Sequence, residues 1–324
     1  MTNFNINTAK NLLAFSAGID STALFFLLLE KNIPFDIAIV DYNVRTQSKD
    51  EVAYAKELAF KYNKKCFVKD VTLTNTSNFE KQARDIRYNF FEEIIESNNY
   101  QTLITAHQLN DKLEWFLMQL TKGAGLVELI GLEKETIKNK YIIHRPLLEI
   151  SKNELKEYLE LNKIKYFIDS SNSDEKIKRN FFRQNFSNEL IKNYKNGIKN
   201  SFKYLENDIN SLNLELKPFY QKELLEIYTN QKDDNLNIKI IDKSLKKRGI
   251  LLSKAQRDEI IKQKEITISH KINIAITEDY IFISPKSNQT MDKKFKESCR
   301  IKKIPKNIRA YLFELEVELK DLFL

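Results

Sequence analysis

The 324-residue sequence predicts a doubly wound parallel α/β domain followed by a smaller C-terminal α+β domain. Three observations lead there. Up to Thr121, short β-branched and aromatic runs alternate with longer helix-patterned ones, as in βαβ units with right-handed crossovers and helices on both faces of a sheet. The length suits about two domains of roughly 150 residues each. Beyond a basic helical stretch the alternation stops, which places the boundary near residue 205 and divides the chain into 1–205 and 206–324.

In order, strands are expected at 11–15, 35–41, 65–71 and 103–106, each followed by a helix, at 21–31, 49–62, 78–97 and 110–121. A fifth unit runs from 141–144 through Pro146 to a helix opened by the capping box Ser151 to Glu154. Residues 180–210 look helical and basic. The remainder offers a helix at 252–264, strands at 271–276 and 280–284, and a last helix from Asn307. Such sheets bind ligands beyond the carboxyl ends of their strands, so the informative residues are 16–21, 41–45 and 107–114.

Composition narrows the class. With 42% hydrophobic and 30% charged residues, 6 Gly and 5 Pro, the chain is globular rather than linker-rich. The apolar run 23–29 is too short to span a bilayer, and the polar opening lacks the basic region of a signal peptide, so a cytoplasmic protein without a membrane partner is expected. Cys66 and Cys299 form no CxxC pair and supply no disulfide framework, structural zinc site or iron–sulfur cluster. A net charge of +8 favours a polyanionic partner, although a general richness in Lys, Asn and Ile raises the pI equally well.

The most informative segment is Ser16-Ala17-Gly18-Ile19-Asp20-Ser21-Thr22, where an apolar strand ends in small and hydroxyl residues just before an apolar helix. Free backbone N–H groups and the helix dipole at such a point face an anion. Gly18 permits close approach, Ser16, Ser21 and Thr22 offer hydroxyls, and Asp20 would repel phosphate unless a Mg²⁺ ion accompanies it. An ordinary strand-turn-helix capped by Asp20 and Ser21 fits the same spacing.

This loop resembles the SGGxDS signature of the N-type ATP pyrophosphatases (the PP-loop class), with Ala17 where that pattern has its second small residue as Gly. Further motifs follow in order: Asp41-Tyr42-Asn43-Val44-Arg45 is like DHGLR, Glu80 to Tyr88 like ExxARxxRY, and Thr105 to Glu114 like TAHHxDDxxET. Then come Thr121-Lys122-Gly123-Ala124-Gly125, Arg145-Pro146-Leu147-Leu148, Asp169-Ser170-Ser171-Asn172 and Arg179-Asn180-Phe181-Phe182-Arg183. Spread over residues 12–183, the ordered set resembles the tRNA(Ile)-lysidine synthetases. Tyr42, Gln108, Asn110 and Trp115 depart from the family pattern.

The resemblance implies a Rossmann-like sheet of the adenine nucleotide α-hydrolase type and a ligase that uses ATP. Its substrates would be tRNA(Ile) with a CAU anticodon and free L-lysine. Cytidine O2 attacks the α-phosphorus and expels pyrophosphate; the lysine amine then attacks C2 and expels AMP. On this view Ser16, Ala17, Gly18, Ile19, Asp20, Ser21 and Thr22 bind ATP, and Asp20 also positions Mg²⁺. Asp111 binds or deprotonates lysine, with Glu114 as the second candidate, and His107, Asp111 and Glu114 would share one helical face. Arg45, Arg84, Arg87, His107, Arg179 and Arg183 contact substrate or phosphate, the arginines being suited to bidentate binding. The C-terminal region would bind tRNA through Lys243, Lys246, Lys247 and Arg248, and through Lys302, Lys303 and Lys306.

Each residue also has a plain reading: first-turn acids stabilised by the dipole, surface salt bridges of Arg84 and Arg87 with Glu80 or Asp85, and solubilising lysines. A homodimer is left open. Two other functions compete: another PP-loop enzyme acting on tRNA, which the lack of paired cysteines disfavours, and a non-catalytic RNA-binding protein with a weakened loop, which would tolerate loss of Asp20.

Overall fold

The computed structural model describes residues 10–44, 46–73, 79–138, 140–168, 177–211 and 217–322. The chain divides into two compact units, Met1–Ile209 and Asn210–Leu324. In the first, β1 (Asn11–Ala14), α1 (Ile19–Glu30), β2 (Asp36–Asp41), α2 (Gln47–Lys61), β3 (Cys66–Asp70), α3 (Phe79–Asn98), β4 (Thr102–Ile104) and α4 (Leu109–Leu120) realise the expected alternation. A short α5 (Leu126–Ile130), the hairpin of β5 (Glu135–Ile137) with β6 (Ile142–His144), and α6 (Lys152–Leu161) follow. Then α7 (Lys178–Phe182) runs through a π-turn (Arg183–Ser187) into α8 (Asn188–Ser211). The π-turn, α5 and β5 were not expected; β5 is a three-residue edge strand without an apolar face, and so leaves no pattern to read.

The sheet order is β3-β2-β1-β4-β6-β5, parallel throughout except for the β5–β6 pair. Alternation along the strands divides the core. Leu12, Ala38, Leu103 and Ile143 face Phe90, Phe91, Ile94 and Ile95 of α3, while Leu13, Ile37, Ile39 and Ile104 face α1, α2 and α6. Helices therefore cover both faces, and each fully buried Leu or Ile contributes about 1.5–3 kcal/mol through removal from water. The order reverses between β1 and β4, so a crevice opens at their carboxyl ends. Loop 16–22 and residues 107–114 emerge there.

The second unit holds β7 (Tyr220–Lys222), β8 (Leu225–Thr229), α9 (Asp234–Lys247), α10 (Lys254–Gln263), β9 (Glu265–Ile268), β10 (Ile272–Ile276), β11 (Tyr280–Pro285), α11 (Lys293–Ile301) and α12 (Lys306–Glu314). Its antiparallel sheet has the order β7-β8-β11-β10-β9. Ile272, Ile274 and Ile276 of β10 with Ile281 and Ile283 of β11 pack on α9 and α10; Ala275 and Phe282 pack on α11 and α12. Burial on both faces explains why β10 and β11 are mostly apolar without a polar-out alternation, with the buried Asn273 and Ser284 as their polar members. No helix among the described residues is long and apolar enough to cross a membrane.

Candidate active site

Loop 16–22 is closed from within. The Ser16 N–H donates to Ser21 Oγ (3.2 Å), the Ser16 and Ser21 hydroxyls share a hydrogen bond (3.1 Å), and Ser21 Oγ donates weakly to the Gly18 carbonyl (3.4 Å). Gly18 is the N-cap of α1 and supplies no side-chain cap, so the first turn keeps its N–H groups for an incoming anion. Ser21 and Thr22 are buried, which leaves the exposed Ser16 as the hydroxyl nearest solvent. Ala17 adopts φ +57°. A left-handed alanine costs about 1–2 kcal/mol, offset here by its fully buried methyl and by the Phe167 N–H, which donates to the Ala17 carbonyl at 2.9 Å.

Asp20 lies in the first turn of α1, and its Oδ1 is buried without a hydrogen-bond partner. Burial, reinforced by the nearby Asp111, pushes its carboxyl up to about 7, with Lys152 and Arg183 opposing. An orphaned, partly desolvated carboxylate at a phosphate-facing helix start fits a hard cation. Mg²⁺ is usually held by one or two carboxylates together with substrate phosphates and water, and Asp20 could supply one of those carboxylates.

Across the crevice, the side chain of Gln108 caps α4 in a capping box: Gln108 Oε1 accepts the Asn110 N–H (2.5 Å) and Asp111 Oδ2 accepts the Gln108 N–H (3.0 Å). Asp111 Oδ1 accepts Arg179 Nη2 (2.6 Å). The fully buried Glu114 accepts Arg183 Nε at Oε1 (2.7 Å), and Arg179 Nε (2.9 Å) and Arg183 Nη2 (3.1 Å) at Oε2. Burial alone would raise the Asp111 pKa, but Arg179, His107, the Gln108 N–H and Arg183 outweigh it and hold the carboxyl below its usual range. The Arg179 guanidinium is correspondingly held more firmly protonated, Asp111 and Glu114 overcoming its own burial.

The expected residues gather, with adjustments. α4 starts at Leu109, so His107 precedes the cap rather than sharing a helical face with Asp111 and Glu114. Burial, with Arg145, Arg179 and Arg87, lowers its pKa to about 4 against the pull of Asp111; its Nδ1 pairs with Thr105 Oγ1 (3.0 Å). Arg87 thus reaches the site electrostatically, while Arg84 stacks on Tyr88 at 4.9 Å. Arg179 and Arg183 turn inward to the two acids. Arg45 and the stretch 169–172 lie outside the described residues.

Four departures from the motif have structural work. Gln108 is the cap, and Asn110 accepts the Lys152 N–H (3.2 Å) and donates to Asn188 (3.3 Å), tying α4 to α6 and α8. Tyr42 donates to the Ala83 carbonyl (2.8 Å). Trp115 donates to the Glu128 carbonyl (3.0 Å) and lies over Gly131, at φ +55°, where any Cβ would meet the indole at 1.8 Å. Sequence reasoning gave no role to Lys152, beside Asp20, or to Arg145, buried and bonded to the Glu133 carbonyl and Thr136 Oγ1 (both 2.8 Å). The only sequence signals for these two were the capping box and the Arg-Pro-Leu-Leu stretch.

In the second unit, several expected tRNA-binding cations are used internally. Arg248 pairs with buried Glu226 (3.2 Å), Lys246 with Asp242 (2.6 Å), and Lys302 donates to the Leu319 carbonyl (2.9 Å). A largely basic hollow of about 500 Å³ lies between α11 and α12, lined by Met291, Lys293, Lys296, Glu297, Arg300, Lys306 and Arg309, with Glu297 paired to Arg300 at 2.9 Å.

The chain is similar to known proteins in sequence and in fold. Residues 2–190 match the family model of the PP-loop domain. The chain is 43% identical over 322 residues to a tRNA(Ile)-lysidine synthase of Campylobacter jejuni, covering 98% of this chain and 96% of that one. It is also 43% identical to the enzyme of that name from Helicobacter hepaticus, covering 95% of this chain and 82% of that one. Among solved structures, a U34-tRNA thiolase from Methanococcus maripaludis superposes with TM-score 0.50 at 19% identity, over 62% of this chain and 72% of that one, a likeness of fold.

Proposed function

The chain belongs to the tRNA(Ile)-lysidine synthases of the PP-loop class, and from that premise we propose how its own residues perform the reaction. It is an ATP-dependent tRNA-modifying ligase: cytidine O2 attacks the α-phosphorus of ATP and releases pyrophosphate, then the amine of L-lysine attacks C2 and releases AMP. The substrate is tRNA(Ile) with the CAU anticodon.

Loop 16–22 and the first turn of α1 cradle the departing pyrophosphate with backbone N–H groups that need no reorganisation as charge develops. Asp20 holds Mg²⁺, which when bound would neutralise charge on the leaving group. Asp111 receives the lysine ammonium. Its depressed pKa makes it a poor proton acceptor, so ion pairing is the role that fits. Glu114, closed in by two guanidiniums, positions Arg179 and Arg183. Neutral His107 contacts substrate without adding charge, and Arg84 and Arg87 face phosphate from α3. The hollow between α11 and α12 takes tRNA phosphates, and the protein acts in the cytoplasm.

The observation that carries this reading is the orphaned Asp20 carboxylate, placed at the switch point within electrostatic reach of Asp111 and Glu114. Incorporation of labelled lysine into unmodified tRNA(Ile) with CAU, under ATP and Mg²⁺, tests it. Asp20→Ala is expected to lose about 100-fold or more in turnover while still binding tRNA. Undiminished incorporation by that variant would remove Asp20 from the chemistry.

A further inference from the structure

Every carboxylate oxygen of the lysine subsite assigned above is already occupied by the protein's own donors. Asp111 Oδ2 is held by the Gln108 N–H and Oδ1 by Arg179 Nη2 at 2.6 Å; Glu114 is shared by Arg179 and Arg183. A lysine ammonium and the Arg179 guanidinium would compete for one oxygen, Asp111 Oδ1.

The two arginines are not equivalent. Arg183 grips Glu114 with two N–H groups and its side chain is only 16% exposed. Arg179 straddles both acids from the five-residue helix α7 and is 41% exposed, so it can leave while Arg183 still neutralises Glu114. Arginine also has a better destination than lysine would: its planar fork matches phosphate oxygens in a bidentate way, whereas an ammonium is a compact point charge suited to a single carboxylate oxygen. Asp20 lies within electrostatic reach of Asp111, Glu114 and Arg183, so phosphate seated over its loop is close to this cluster.

We propose that Arg179 orders the substrates: in the free protein its guanidinium fills the ammonium position at Asp111 Oδ1, and it transfers to the phosphate of bound ATP, admitting lysine only once nucleotide is in place. This deepens, and rests on, the assignment of Asp111 to lysine. Arg179 is here a positioning residue. Reciprocity requires lysine to tighten nucleotide binding by the same factor that nucleotide tightens lysine binding.

The test is calorimetric titration of L-lysine into the full chain, with and without α,β-methylene-ATP and Mg²⁺. The analogue is expected to tighten lysine binding by about 5–150-fold in the unaltered protein. Arg179→Ala should bind lysine equally well with and without the analogue, and Arg179→Lys, whose own ammonium can sit on Asp111, should restore the exclusion. If Arg179→Ala does not fold, as judged by Trp115 fluorescence and thermal melting, Arg179→Gln is read in the same titration. A nucleotide requirement that persists without the guanidinium overturns the proposal, as does equal lysine affinity in the two states of the unaltered protein. Asp111→Asn separates this failure from that of the underlying reading: lysine binding that survives it removes Asp111 from the subsite, whereas lysine binding lost there with the requirement intact in Arg179→Ala sinks only the ordering role.

Discussion

Both units bury carboxylates against arginines, yet the two arrangements serve different ends. In the first, Asp111 and Glu114 meet Arg179 and Arg183 beyond the carboxyl end of β4, beside a phosphate-facing loop. In the second, Glu226 of β8 binds Tyr228, Ser244 and Arg248 between the sheet and α9, and Asp242 binds Lys246 and Arg257. There the charges fasten α9 to the sheet through Glu226 and to α10 through Asp242. Location relative to strand ends, rather than the presence of buried charge, separates a reactive cluster from a rivet.

Removing one acid from each cluster sharpens that contrast. Glu114→Ala strands two guanidiniums and is expected to cost about 3–5 kcal/mol, together with loss of lysine incorporation. Glu226→Ala should cost nearer 3 kcal/mol and leave ATP binding by the folded protein intact. Urea denaturation can localise both effects, because the single tryptophan, Trp115, lies in the first unit. Glu114→Ala should move the Trp115 transition, and Glu226→Ala should move circular dichroism far more. Equal displacement of the Trp115 transition by both variants would break the comparison.

A smaller effect is expected from acidity. Asp20 ionises near pH 7 in the fold against 3.8 ordinarily, so between those values the folded state holds a proton that the unfolded state has released. Stability therefore declines as pH rises from about 4 to 7. Asp20→Asn should remove that decline and raise the melting midpoint at pH 8 by a few degrees, about 1 kcal/mol, with little gain at pH 4. A gain of equal size at both pH values would remove the raised carboxyl as its cause.

Ala17→Gly should change least. Relief of the positive φ contributes about 1–2 kcal/mol, while the lost methyl burial and the added freedom of the unfolded chain cost a similar sum. Equilibrium unfolding is expected to shift by less than about 0.5 kcal/mol. A larger gain would show that the loop stores strain.

Much of the first unit was legible because each βαβ repeat carries its own apolar period, and because strand ends of such a sheet are where ligands bind. Ser151 could be read as a cap from its spacing to Glu154, and both capping bonds form. Gln108 could not, since it stands where the motif has histidine. The second unit was only partly legible: β10 and β11 are short runs dominated by β-branched and aromatic residues, but β7, β8, α9, β9 and α11 carry no comparable pattern. The charged and polar residues within β8 and α9, among them Glu226 and Ser244, find their partners in tertiary contacts such as the Ser244–Glu226 hydrogen bond and so obscure the pattern.

Local periodicity and residue chemistry are enough to read the parallel sheet and the phosphate-facing turn, because neither needs a partner to be recognised, and the ordered motifs named the acids and arginines as candidates. How those groups pair came only with the folded chain. Arg179 and Arg183 lie more than 60 residues beyond Asp111 and Glu114, and nothing local records that separation. Folding joins them because a desolvated carboxylate costs several kcal/mol unless a cation and hydrogen bonds compensate it, and α7 with the π-turn after it brings two guanidiniums to the crevice at β1 and β4.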